Sequence, residues 1–162
     1  MTMTPRMVWL GFLGVSLAAL GAAYGFEFIG GLKPCVLCLY QRVPYGLTAG
    51  LGVGALLFYR PAAAVPLGIL FALLFLGGAG LSFYHLGVEQ GWFTLPPACG
   101  GETGRSLETL RESLATTAPV PCDEVAWSFF GISLAGFNLV LSIFLTGLAL
   151  AATASFRKGR TS

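Results

Sequence analysis

The chain has 162 residues, 56% of them hydrophobic and 10% charged, with a formal net charge of +2 and a mean hydropathy of +0.80. Soluble domains carry roughly 25% charged residues. This sequence has too little polar surface to close a water-soluble globule, and it reads as an integral membrane protein.

Four apolar stretches approach the roughly 20 residues that a bilayer crossing needs. The first, 7–29, is too long for a secretory hydrophobic region of about 7–15 residues, although small residues around Ala19–Ala23 imitate a cleavage site. A short loop, 30–41, follows and carries Cys35 and Cys38. The second span, 43–59, is the shortest, and its helix is expected to begin in the polar turn near Cys38. After a tight turn at Arg60–Pro61, the third span occupies 62–84 and ends beside His85, the only histidine. A long loop, 85–128, holds Cys99, Cys122 and six acids against Arg105 and Arg111. Within it, Leu107, Leu110 and Leu114 share a helical face behind a Ser106 N-cap, which predicts a short amphipathic helix. Pro96-Pro97 and Pro119-Val-Pro121 precede the two loop cysteines and hold them in extended backbone. The fourth span is 129–152, followed by Arg157, Lys158 and Arg160.

The expected fold is an all-α membrane protein, a four-transmembrane-helix bundle forming one domain over 1–162. Gly46, Gly50 and Gly54 recur every fourth residue and predict a smooth stripe for close helix packing. Gly21 with Gly25, and Gly77 with Gly80, predict similar contacts. Arg6, Arg60 and the basic tail place both termini in the cytoplasm by the positive-inside rule. Both cysteine segments then lie on the periplasmic or external side, where disulfides persist.

None of the four cysteines lies in the middle of an apolar run, although cysteine is readily buried. A C-x-x-C pair can close a small ring and depress the pKa of one thiol. At the start of a helix, the unpaired N–H groups and the dipole favour a thiolate. Arg42 lies four residues beyond Cys38 and seven beyond Cys35, so all three can share one helical face. Its guanidinium can stabilise a thiolate or an anion, or snorkel as an interfacial anchor. His85 can hydrogen-bond a quinone carbonyl or relay a proton, or simply be satisfied by water. Glu27 is an ionisable group near membrane depth without an assigned role. A structural disulfide and a four-cysteine zinc site are the competing readings. The 23 positions separating Cys99 from Cys122 disfavour zinc, and no metal is expected. Four cysteines permit three pairings.

The string Leu32-Lys-Pro-Cys-Val-Leu-Cys-Leu-Tyr-Gln-Arg42 closely resembles the signature of the DsbB family, the disulfide bond formation proteins of the bacterial inner membrane. Phe83-Tyr-His85 and Pro121-Cys-Asp-Glu-Val-Ala-Trp127 extend the resemblance, which covers residues 7 to 152. The resemblance implies a protein-dithiol:quinone oxidoreductase in the inner (cytoplasmic) membrane. Its partners would be a DsbA-like periplasmic thiol oxidase, the lipid bilayer and the membrane quinone pool, ubiquinone or menaquinone, with no nucleic acid. Carried over by position, the partner attacks the accessible loop cysteine Cys99, releasing Cys122 to attack Cys35. Cys38 then becomes the thiolate facing the quinone, with Arg42 and His85 at the quinone pocket. The segment between Cys99 and Cys122 is shorter than in better-known members and begins differently, at Gly100-Gly-Glu-Thr-Gly104. A reductase resembling the vitamin K epoxide reductase family is disfavoured, because its loop cysteines precede the C-x-x-C. A membrane scaffold with structural disulfides is the non-enzymatic alternative.

Overall fold

The structure, a computed structural model, describes residues 4–58, 60–99 and 120–161. The amphipathic helix expected around 106–114 lies outside the described residues. Among the described residues, four long helices dominate: α1 (Pro5–Phe28), α2 (Val36–Leu57), α3 (Ala64–Glu89) and α4 (Leu134–Thr161). Single 3-10 turns occur at Pro61–Ala63 and Pro97–Cys99. A small antiparallel hairpin pairs β1 (Ser128–Phe129) with β2 (Ile132–Ser133).

Local chemistry explains the boundaries. Proline at the first position opens α1, where its missing N–H costs nothing. The helix ends at Gly30-Gly31: a side chain on Gly30 would meet the Phe26 carbonyl at 2.7 Å, and Gly31 adopts φ +68. Pro34 then keeps the chain extended until Cys35, with φ −75 and ψ 169, caps α2. The hairpin turn uses positive φ at Phe130 (50) and Gly131 (78), as a type I′ turn requires. Ser133 then accepts the Gly136 N–H at 3.2 Å at the start of α4.

Among the described residues, three helical segments, Pro5–Phe28, Pro61–Glu89 and Leu134–Gly159, are long and apolar enough to cross a bilayer. α2, with 22 residues, is shorter than each of them, and Tyr40, Gln41, Arg42 and Pro44 dilute its hydropathy. The protein is thus an all-α membrane protein apart from its hairpin. Three boundaries differ from expectation. α3 continues to Glu89, a full turn past His85, because Gly87 and Val88 pack inward there. The hairpin occupies 128–133, so α4 begins five residues after the expected 129. It also continues past 152 through the basic tail.

α3 packs most extensively on α4, α1 on α2, and α2 on α3. Trp9, Phe12, Phe71, Phe75 and Phe156 build the aromatic centre, with Trp9 and Phe71 ring centroids 5.1 Å apart. The expected glycine stripe does not pack: a side chain on Gly46, Gly50 or Gly54 would meet nothing within 4 Å. The same holds for Gly21, Gly25, Gly77 and Gly80. Close approach occurs instead at Gly52 against Leu13, Gly68 against Thr153 and Gly78 against Pro44 and Ser142. A four-residue repeat marks one face of a helix without saying which face the neighbouring helix covers.

Gly68→Ala would push its methyl into Thr153, whose Cβ would stand 3.3 Å away and whose hydroxyl already donates to the Ala149 carbonyl. Overpacking of this kind costs roughly 1–3 kcal/mol. Thermal unfolding in detergent should therefore show a lower Tm for Gly68→Ala, while Gly50→Ala leaves it unchanged or raises it through helix propensity.

Candidate functional site

The Cys35 side chain accepts the Cys38 backbone N–H at 3.3 Å, satisfying one of the orphan donors of the first helical turn. Its sulfur lies 3.1 Å from the Cys38 sulfur and 3.5 Å from Nε2 of His85. Both thiols are free, whereas Cys99 and Cys122 form a disulfide with Cα atoms 5.5 Å apart. Arg42 shares with Cys38 the face that opens on a cavity, but Cys35 does not. As the cap, Cys35 stands outside the helical periodicity, so the expected three-residue face reduces to Cys38 and Arg42.

The loop disulfide also departs from expectation. Cys99 and Cys122 are not exposed in the described structure but buried, and they pack with Cys35, Leu37 and Val88 in one apolar cluster. Cys38, Val36, Leu95 and Val120 pad its edges. The 3-10 turn at Pro97–Cys99 seats the disulfide against α2. Both sulfur pairs therefore sit in one low-dielectric pocket, where the attractions of charged groups are strengthened.

Beside Cys38 lies a cavity of about 230 Å³ between α1, α2 and α4. An apolar cavity of about 150 Å³ holds benzene, so this one has room for a one-ring headgroup. Glu27, Lys33, Gln41, Arg42, Tyr45 and Asn138 supply its polar lining, while Ala19, Leu20, Ala22, Ala23, Phe137 and Leu141 supply much of its apolar wall. Arg42 donates to Glu27 at 2.5 Å and lies 4.7 Å from the centroid of the Tyr24 ring. Glu27, unassigned in sequence, is thus the counter-charge of Arg42.

His85 is not among the residues lining the cavity. It is 3% exposed, behind Cys35, with Nδ1 at 2.8 Å from Nε2 of Gln41 and Nε2 at 3.9 Å from Oε1 of Glu89. Gln41 Oε1 accepts from Asn138 Nδ2 at 2.8 Å, and Tyr45 donates to Asn138 Oδ1 at 2.6 Å. Sequence reasoning passed over Gln41, Tyr45, Ser82, Glu89 and Asn138. A carboxamide and a hydroxyl inside apolar spans were the available signal, because polar groups at membrane depth need partners.

The electrostatics single out one sulfur. The Cys35 thiol is drawn down to about 4, chiefly by the hydrogen bond from the Cys38 thiol, then by His85 and the Cys38 N–H, against the opposing effect of burial. Cys35 is therefore the thiolate of the reduced pair, stabilised by donors on three sides.

The family model described as disulfide bond formation protein DsbB matches residues 5–152. The disulfide bond formation protein B of Methylococcus capsulatus is 36% identical over 156 residues, covering 87% of this chain and 88% of that protein. The protein of the same description from Nitrosococcus oceani is 31% identical over 160 residues, covering 94% and 92%. That from Hahella chejuensis is 31% identical over 153 residues, covering 90% and 92%.

A thiol with the ordinary pKa of about 8.5 gains thiolate some 70-fold between pH 6 and 8. Cys35 is already ionised throughout that range. Site-resolved alkylation of the dithiol should therefore give a Cys35 rate that changes less than about twofold from pH 6 to 8; a steep rise would show that the donors around it do not hold the thiolate.

Proposed function

The chain belongs to the DsbB family of disulfide bond formation proteins, and on that premise we propose that it oxidises a DsbA-type periplasmic dithiol protein and delivers the electron pair to a membrane quinone. The observation that carries this reading is the division of labour within the C-x-x-C: Cys35 packs with the Cys99–Cys122 disulfide, while Cys38 lines the cavity. One end of the pair meets a sulfur donor, and the other meets a space for an acceptor.

The exchange chemistry follows from that placement. A partner thiolate attacks Cys99, forming a mixed disulfide as the Cys99–Cys122 bond breaks and leaves its electron pair on Cys122. With the first pair oxidised, Cys122 attacks Cys35, and the electron pair of the Cys35–Cys38 bond stays on Cys38, now a thiolate at the cavity wall. A quinone bound in the cavity supplies a two-electron, two-proton acceptor. Arg42 presents N–H donors along the same wall, and the apolar residues of α1 and α4 would seat the ring. Burial of Cys99 implies that the partner displaces part of its cover before attack. The free, neighbouring thiols of Cys35 and Cys38 favour this reading over a scaffold role, in which both pairs would serve as closed disulfides.

The topology is read to match. At about 1.5 Å per residue, the 22 residues of α2 reach about 33 Å, enough for the roughly 30 Å hydrocarbon core, and α2 packs against both α1 and α3. We take it as the fourth span of one domain over 1–162. The termini are then cytoplasmic, and the cysteine segments lie on the periplasmic side of the bacterial inner membrane.

Purified protein, a reduced DsbA-type partner and ubiquinone or menaquinone test the scheme. Cys38→Ser should reduce quinone-dependent oxidation of the partner by at least 100-fold while still trapping the partner through Cys99. Arg42→Ala should raise the quinone KM about tenfold, equivalent to about 1.4 kcal/mol. Normal turnover in the Cys38 and Cys99 serine variants would refute the relay, and an unchanged KM would remove Arg42 from the quinone site.

A further inference from the structure

The buried hydrogen bonds behind Cys35 form one continuous chain across three helices. Ser82 Oγ lies 2.8 Å from the Gly78 carbonyl oxygen and 2.8 Å from Asn138 Nδ2. Asn138 Nδ2 also reaches Gln41 Oε1, and Gln41 Nε2 reaches His85 Nδ1. His85 Nε2 in turn faces the Cys35 sulfur and Oε1 of Glu89.

The direction of every bond follows from one fixed point. A carbonyl oxygen can only accept, so the single hydroxyl proton of Ser82 goes to Gly78. Ser82 must then accept from Asn138, which places the amide nitrogen of Asn138 on that side. The same nitrogen faces Gln41, so Gln41 presents its oxygen there and its nitrogen to His85. Nδ1 of His85 must accept, and the ring proton is left on Nε2.

The far side of the ring is compatible with that assignment. Nε2 faces the Cys35 sulfur at 3.5 Å and a carboxylate whose other oxygen already accepts from Ser133 at 2.5 Å. A lone pair on Nε2 would confront two electron-rich groups, whereas an N–H can donate to the Cys35 sulfur while Glu89 Oε1 stands 3.9 Å away, beyond hydrogen-bond distance.

We propose that Gln41 and Asn138 are positioning residues, which hold His85 as the neutral Nε2–H tautomer with its one N–H aimed at Cys35. His85 is thereby a fixed donor to the sulfur rather than a base that removes a proton from it. When Cys99, freed as the partner's second thiol takes over the mixed disulfide, attacks Cys122 of the Cys35–Cys122 disulfide, the Cys99–Cys122 bond forms as the Cys35–Cys122 bond breaks, and the electron pair remains on Cys35. The His85 N–H and the Cys38 backbone N–H stabilise that pair without any proton transfer. The use of this tautomer in the relay rests on the function proposed above. The tautomer itself depends only on the hydrogen-bond chain, and its measurement needs neither quinone nor partner.

His85 is the only histidine of the sequence, so nitrogen-15 histidine labelling of protein purified without a polyhistidine tag reports this ring alone. The spectrum of the reduced wild type at neutral pH should show a pyridine-type Nδ1 and a pyrrole-type Nε2, assigned through their couplings to the ring protons. Gln41→Glu replaces the donor at Nδ1 with a carboxylate oxygen and should turn Nδ1 pyrrole-type. Asn138→Asp, which does not touch the ring, should do the same by forcing Gln41 to turn its nitrogen toward the new carboxylate. A wild-type spectrum with Nδ1 protonated, as the other tautomer or as the imidazolium, overturns the proposal whether or not the variants fold. So does an unchanged ring spectrum in either variant that unfolds at the wild-type temperature.

Discussion

Asn138 projects a half-buried carboxamide from α4 into the bundle beside the cavity, and satisfying it organises the site. Its nitrogen donates to α2 at Gln41 and to α3 at Ser82, and its oxygen accepts from Tyr45 of α2. Hydrogen bonds between membrane helices average about 0.6 kcal/mol, so these bonds add little to stability individually. Leaving one such group unpaired costs about 1–3 kcal/mol. The asymmetry makes the network a device for register: a slip of any of the three helices orphans several groups at once. Because Gln41 is three residues from Cys38 and one from Arg42, register at Asn138 becomes geometry at the sulfurs.

The same constraint separates the two cysteines of the C-x-x-C. Cys35, as N-cap, gathers donors from its own helix and from α3, so negative charge is stable on it without any ligand. Cys38 is one helical turn farther along α2, at the wall of the cavity. In the reduced pair, charge therefore settles on Cys35, away from the cavity. Charge on Cys38 arises only when Cys35 is tied up in a disulfide and can no longer be the thiolate. That gives the pair a direction, since its cavity-facing sulfur becomes electron-rich only after exchange with another sulfur has occurred.

Hydropathy made the membrane class and the four long helices legible, because each apolar run exceeds what a soluble core helix needs. The cysteine spacing made the chemistry legible for a similar reason: a C-x-x-C at a helix start has few alternative uses. Partner identity between helices was not legible. The Gly46, Gly50 and Gly54 stripe looked like an interface yet faces open space, while Gly68, in no repeat, packs against Thr153. Periodicity defines faces, and only the fold decides which faces meet. His85 illustrates the same limit, since its position at the end of an apolar run is equally compatible with the cavity and with the back of Cys35. The burial of Cys99 and Cys122 was hidden because a loop's polar composition does not reveal where its few apolar residues dock.

Arg42 and Glu27 show how a charged site is tolerated at this depth. Arg42 is six residues into α2, about 9 Å along the helix at 1.5 Å per residue, and its side chain is 14% exposed. A lone guanidinium there would be costly. Glu27 from α1 neutralises it, and the Tyr24 ring contributes a cation–π contact. The pair cancels its own charge at the cavity wall, so the Lys33 ammonium, which also lines the cavity, is left as the wall's net positive charge. A charged product developing beside Arg42 would draw on the guanidinium in competition with Glu27. The ion pair thus sets how much of the Arg42 potential reaches the cavity, and a lysine at position 42 would not be equivalent, because its three donors rotate about one nitrogen and lack the fixed planar fork that holds Glu27 with one nitrogen while another faces the cavity.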